Sequence, residues 1–365
     1  METGTDELWQ HASVNRRNFI RSSFAGAMAL SLPFNSISPA GKRMGVVVHS
    51  YGSRWNSKTV SQKYPGFADA MDLLIHCHAI GASGIQVGVK DWTEASSRKL
   101  RQKREQLGLY IEGSIGVPFK QEQVAQFEKE VLTAKEAGVQ ILRTVCSAGR
   151  RYEIYHTRQA FDDAQKMAME SMRLSEPILK KYQMKLAVEN HKDWRAVELA
   201  EMMKQMSSEW IGVTLDFGNS IALMEDPMEV VRTLAPYHLT THVKDMAVDE
   251  YANGILLSEV PLGKGILDLK AMVEICEKAN PKSTFNLEMI TRDPLEIPCL
   301  TNDYWQTFTS VPGNDLARTL RMTRAQKFQG GLPRVSQMTT EDRLAVEEKN
   351  IVDCLSYSSN SLGLK

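Results

Sequence analysis

From residue 44 onward the chain alternates two patterns. Short runs rich in β-branched and other apolar residues, at 44–49, 85–89, 109–115, 139–145, 185–191, 211–217, 239–244 and 284–290, read as strands. Longer segments between them, 67–80, 121–137, 160–182 and 196–206, repeat apolar residues on one helical face. Gly84, Gly108 and Gly138 stand at or just before strands, where a glycine ends the preceding helix. Eight strand–helix units predict an α/β fold, a single (β/α)8 TIM barrel of parallel strands with a C-terminal extension. An open doubly wound sheet is the competing arrangement, but no Gly-x-Gly-x-x-Gly follows the first strand. After the eighth strand, 291–325 reads as a closing loop with Tyr304 and Trp305, followed by the eighth helix near 315–320. Residues 341–355 suit one more amphipathic helix, and the small polar stretch from 356 onward is expected to be mobile.

The N-terminus has a different pattern. Arg16 and Arg17 precede Asn18-Phe19-Ile20, a short apolar run covers 24–32, and Ser38-Pro39-Ala40 offers small residues for cleavage. This order predicts an export signal, and the paired arginines resemble a twin-arginine signal, which implies a periplasmic destination. The apolar run falls well short of the ~20 residues that span a bilayer, so no stable span is expected after cleavage. The expected organisation is therefore a signal over 1–40, a barrel over 41–328 and a tail over 329–365 with one short helix. Five cysteines, Cys77, Cys146, Cys276, Cys299 and Cys354, are odd in number and irregularly spaced, which argues against a disulfide framework or structural zinc.

Composition adds little of its own: 42% hydrophobic and 24% charged residues suit a globular protein. Lys+Arg and Asp+Glu both number 44, so no overall field attracts nucleic acid. The placing of the carboxylates is more informative. In such a barrel the C-terminal strand ends converge on one mouth. Strands five to eight end near Glu189, Asp216, His242 and Glu288. Three carboxylates and an imidazole form an oxygen-rich set suited to a divalent cation, Mn²⁺ or Mg²⁺ first, with Zn²⁺ and Co²⁺ compatible. Without a cation, three adjacent carboxylates would push at least one of them to take up a proton.

The series Glu189, Asp216, His242, Glu288, with His242-Val243-Lys244-Asp245 on strand seven, resembles the xylose isomerase-like barrels. Leu262-Gly263-Lys264-Gly265-Ile266-Leu267-Asp268 resembles the family's Leu-Gly-Glu-Gly-x-Ile-Asp segment, with Lys264 in place of the acidic residue. The family includes sugar isomerases, ketose 3-epimerases, inosose dehydratases and, more distantly, endonuclease IV, whose DNA substrate the neutral chain disfavours. The resemblance implies that the four residues hold the metal, and that in the epimerase branch Glu189 and Glu288 exchange protons with the sugar. Asn219 stands where epimerases commonly carry a histidine beside the metal. The expected chemistry is proton abstraction next to a carbonyl, with the ion lowering the cost of the enediolate. Its outcome is isomerisation or epimerisation of an unphosphorylated ketose or keto-sugar. One alternative is a lyase or hydratase that cleaves 3-keto-glycosides by elimination. Another is a noncatalytic sugar-binding barrel with a structural metal. His191 is the expected further catalytic group, as a hydrogen-bond partner or proton donor two residues beyond Glu189. Expected substrate contacts are His49, Glu112, Arg143, Asn219, Lys244, Lys264 and Trp305. Lys244 also has Asp245 as a ready ion-pair partner. The expected partner is a small sugar or glycoside, and a homo-oligomer is compatible.

Overall fold

The computed structural model describes residues 43–55 and 60–365, so the expected signal over 1–40 lies outside the described residues. The chain runs β1 (Met44–Val47), α1 (Ala70–Ala79), β2 (Gly84–Gly88), α2 (Glu94–Leu107), β3 (Tyr110–Ser114), α3 (Val124–Glu136) and β4 (Ile141–Thr144). It continues through α4 (Arg151–Ile154), α5 (Arg158–Tyr182), β5 (Lys185–Glu189), α6 (Ala196–Met206), β6 (Ile211–Asp216), α7 (Pro227–Leu234) and β7 (His238–Val243). An antiparallel pair follows, β8 (Asp245–Tyr251) and β9 (Gly254–Val260), then α8 (Leu269–Ala279) and β10 (Thr284–Leu287). The last elements are β11 (Leu295–Ile297), α9 (Asn302–Trp305), α10 (Gly313–Ala325) and α11 (Thr340–Tyr357).

Eight parallel strands close in the order β1-β10-β7-β6-β5-β4-β3-β2. All eight expected strands are present, and the fold is a single (β/α)8 barrel. Helix α2 carries no clear apolar face. Only Ser97 and Leu100 are buried in it, so its start rests on a Thr93–Ser96 capping box and its end on Gly108, at φ 70°. A helix without an apolar stripe leaves no helical period in the sequence. The hairpin β8–β9 was also unforeseen; its two-residue turn is Ala252-Asn253, and Gly254, paired with Tyr251, opens the returning strand. The hairpin is inserted between β7 and α8, and β11, from beyond β10, pairs with β9 to make a three-stranded sheet. That sheet packs with α9, α10 and the turn at 221–224 around a second apolar cluster.

Two expectations about the C-terminus are corrected. Helix α10 packs against β8 rather than completing the ring. The eighth ring helix is α11, which contacts β10 and the turn after β1 and buries Leu344, Ile351 and Cys354 in the barrel's main core or at its edge. The final residues are also pinned. Leu362 and Leu364 are buried, Ser358 Oγ donates to the Leu364 carbonyl, and the Lys365 carbonyl accepts from the Met44 amide at 2.7 Å. Two leucines at alternate positions supply the apolar anchor that the polar composition concealed. The five cysteines are free and buried. No helix among the described residues is long and apolar enough to cross a membrane.

Candidate metal centre at the barrel mouth

Glu189 ends β5, Asp216 ends β6, His242 lies on β7 and Glu288 immediately follows β10. All four are buried, and one ligand atom from each can be chosen so that the four lie within 4.8 Å of one another. Their neighbours orient them. Asp216 Oδ1 accepts from the amides of Gly218 and Asn219 at 2.9 and 2.7 Å, which leaves Oδ2 facing the cluster. Asn190 bridges the two strands, accepting from the Asp216 amide and donating to the Asp216 carbonyl. On β2, Gln86 donates to Glu112 Oε2 at 2.9 Å, so its carbonyl oxygen faces His242 Nε2 at 2.7 Å. Nε2 must then be a donor, and Nδ1 is the ring nitrogen that faces Glu189, Asp216 and Glu288, 3.5 to 3.8 Å away.

Within the cluster Asp216 Oδ2 meets only the Lys244 ammonium, and His242 Nδ1 is buried and has no hydrogen-bond partner. Buried polar atoms are seldom left so. Together with three carboxylates and an imidazole, they make the cluster fit a divalent metal ion. Cations of the chain itself balance the carboxylates. Arg143 on β4 binds Glu189 Oε2, with Nε at 2.5 Å, and Asn219 donates to Glu189 Oε1 at 3.0 Å. Lys244 pairs with Asp216 Oδ2 at 2.7 Å and with Glu288 Oε2. Burial works against ionisation of Glu189 and Glu288. Arg143 and His242 at the first, and Lys244 and His242 at the second, outweigh it and hold both well below the usual carboxylate range. Burial raises Asp216 in spite of Lys244. Burial would lower His242, but Glu189 and Glu288 raise it to about 9.

A family model described as "Xylose isomerase-like TIM barrel" matches residues 74–318, more than half of the chain. The chain belongs to this family. A curated relative, 3-oxo-isoapionate decarboxylase of Pectobacterium atrosepticum, is 24% identical over 236 residues, covering 63% of this chain and 79% of its own. Among solved structures, a D-psicose 3-epimerase matches with a TM-score of 0.58 at 14% identity, covering 88% of this chain and 99% of its own. A 3-keto-D-glucoside 4-epimerase from E. coli matches with a TM-score of 0.52 at 12% identity, covering 78% and 99%. These structural likenesses show the shared barrel.

Within this xylose isomerase-like barrel, the remaining expected site residues separate. His49 stands at the rim with Nδ1 3.2 Å from Glu288 Oε1 and its side chain 46% exposed, so it links the cluster to solvent. Arg143, Asn219 and Lys244 are buried against the carboxylates. Lys244 does not pair with Asp245. That carboxylate instead accepts from the amides of Gly263, Gly265 and Leu267. A side chain at 265 would collide with it, which accounts for the glycine there. Glu112 lies inside the barrel, bound by Gln86, Thr240, Thr284 and Asn286. That placement is of a positioning residue rather than the expected substrate contact. Lys264 is exposed in a depression it shares with residues 326–329, which include no member of the cluster. Trp305 packs with Tyr304 and Phe308 in the second apolar cluster and donates to the Cys299 carbonyl. His191 lies beyond the end of β5, and burial pushes it down to about 3 despite Glu189, so its ring is neutral.

Other residues of the mouth escaped the sequence reading. Lys192 is buried, with φ 68°, and donates to Asn219 Oδ1. Glu259 and Arg292 form an ion pair beside it. Gln86 was the easiest to find, as a lone amide among the apolar residues of β2.

Proposed function

We propose that this barrel is a divalent-metal-dependent sugar isomerase or epimerase that abstracts a proton next to a carbonyl. The observation that carries the reading is the buried Glu189–Asp216–His242–Glu288 cluster, joined by His49 to an open cavity of about 580 Å³. A bound divalent ion would act there as a Lewis acid, lowering the cost of an enediolate formed on the sugar.

The two glutamates are not equivalent. Glu189 has one oxygen held by Arg143 and the other by Asn219, which makes it an anchored carboxylate. Glu288 has one oxygen on Lys244 and the other toward His49 at the rim. Glu288 Oε1 therefore takes the substrate proton, and His49 Nδ1 relays it to or from solvent. Neutral His191 serves as a hydrogen-bond partner for a sugar hydroxyl. Lys244 and Lys192 hold the developing negative charge close to fixed ammonium groups.

In D₂O with Mn²⁺ and candidate ketoses, the wild type is expected to exchange one carbon-bound proton. Glu288→Gln is expected to slow that exchange ~10²–10⁴-fold, with metal content assayed alongside. A Glu288→Gln variant that keeps its metal and exchanges at the wild-type rate removes the proposed base. A second reading is favoured by the relative whose name specifies decarboxylation of a 3-oxo sugar acid. It is bond cleavage next to a 3-oxo group through the same enediolate, including elimination from a 3-keto-glycoside. Release of carbon dioxide or aglycone, in place of simple exchange, selects it. The Arg16-Arg17 segment supports an exported protein, which a periplasmic fractionation tests.

A further inference from the structure

We propose that the groove between the starts of α1 and α2 is a second sugar subsite, where Trp55 and Trp92 hold a pyranose ring attached to the keto-sugar at the metal cluster. The inference rests on the sugar reading above and narrows the substrate from a free ketose to a glycoside. The groove has a volume of about 450 Å³, within the range of small-molecule sites. Gly88 ends β2 at the C-terminal face of the barrel. The turn that follows, with Asp91 at φ 68°, brings Lys90 and Trp92 to the groove. Trp55, in the segment between β1 and α1, lines this groove and also the cavity of about 580 Å³ that begins at His49. One indole therefore stands between the cluster's own cavity and the groove, and a two-ring ligand spans it.

The lining suits a sugar ring. Trp55 and Trp92 are half-buried and pack against the main core, so each offers a fixed, partly exposed indole. An aromatic face covers the C–H surface of a pyranose, while the hydroxyls at its edge need donors and acceptors. Asp69, Lys90, Asp91 and Lys99 line the same groove and are all exposed, so their carboxylates and ammonium groups are open to a ligand. Two charges of each sign cancel, which suits a neutral ring better than a phosphate or a second carboxylate. A single ring at the metal cluster makes none of these contacts, so the groove adds affinity only for a substrate that carries a second one.

The test compares lactulose, a ketose carrying a β-galactosyl ring, with D-fructose, the same ketose without it. Binding of each to the Mn²⁺-loaded protein is followed by ligand-detected NMR titration. The wild type is expected to bind lactulose about tenfold more tightly. Trp92→Ala is expected to bring that ratio close to one, and Trp92→Phe, which keeps an aromatic face, to retain part of it. Lys90→Met, which spares both indoles, is expected to narrow it about threefold. Bound manganese per chain reports that the cluster is intact in each variant. Equal affinities in the wild type, or a ratio unchanged by Trp92→Ala, overturns the proposal; if Trp92→Ala does not fold, an unchanged ratio in Lys90→Met does so in its place. Deuterium exchange in the same samples judges the chemistry separately. Exchange on both ketoses without a preference for lactulose removes the second subsite and leaves the enediolate reading, whereas preferential binding of lactulose without exchange does the reverse.

Discussion

Gln86 is fully buried on β2 and joins Glu112, 26 residues away in sequence, to His242, 156 residues away. Its amide fixes which imidazole nitrogen faces the carboxylates. Gln86→Leu leaves His242 Nε2 without its acceptor and is expected to weaken metal binding ~10–100-fold, measured by competition with a chromophoric chelator. An unchanged affinity would show that the amide does not orient the ligand. His242 also sets a pH dependence. Burial lowers it, but Glu189 and Glu288 prevail and raise it to about 9. Below that pH the ion must displace a proton, so affinity is expected to rise with pH until about 9 and level off above it. Calorimetry at pH 7 in buffers of different ionisation enthalpy should detect at least one proton released per ion bound. The four cluster residues were legible because each stands at or near the end of a strand-like run. Gln86, Asn190 and Glu347 were not, because their partners come from distant segments.

At the scale of elements, the barrel strands were legible because buried parallel strands are continuous apolar runs. Helix α2 was missed because it presents little to the core, and α11 was undervalued because polarity dominates its sequence. The structure exchanges the expected roles of the last two long helices: α10 supports the inserted sheet and α11 completes the ring. Ile351 has no exposure in the core. Ile351→Ala is expected to cost ~2–5 kcal/mol in chemical denaturation, whereas exposed Lys349→Ala should stay within ~0.5 kcal/mol. A small loss at Ile351 would restore the reading of 329–365 as a tail.

For the whole molecule, the neutral formal charge conceals a buried mouth where three carboxylates face Arg143, Lys244 and His242. Because these cations offset the carboxylates, the barrel is expected to fold without an ion and chelator-treated protein to keep its circular dichroism. Because the folded state alone assembles the cluster, an ion bound there at 100 times its Kd should add ~2.7 kcal/mol of stability. A melting temperature indifferent to Mn²⁺, Mg²⁺, Zn²⁺ and Co²⁺ would count against a metal centre. Sequence by itself determined the alternation of strands and helices, the closed barrel and the four strand-end residues of the cluster, since hydrophobic period and position along a strand are local properties. Tertiary structure alone decided which residues orient that cluster, that Lys244 turns to Asp216 and Glu288, and that α11 lines the cavity at His49. Each of these depends on contacts between segments far apart in the chain, where the partner is chosen by packing geometry rather than by local pattern.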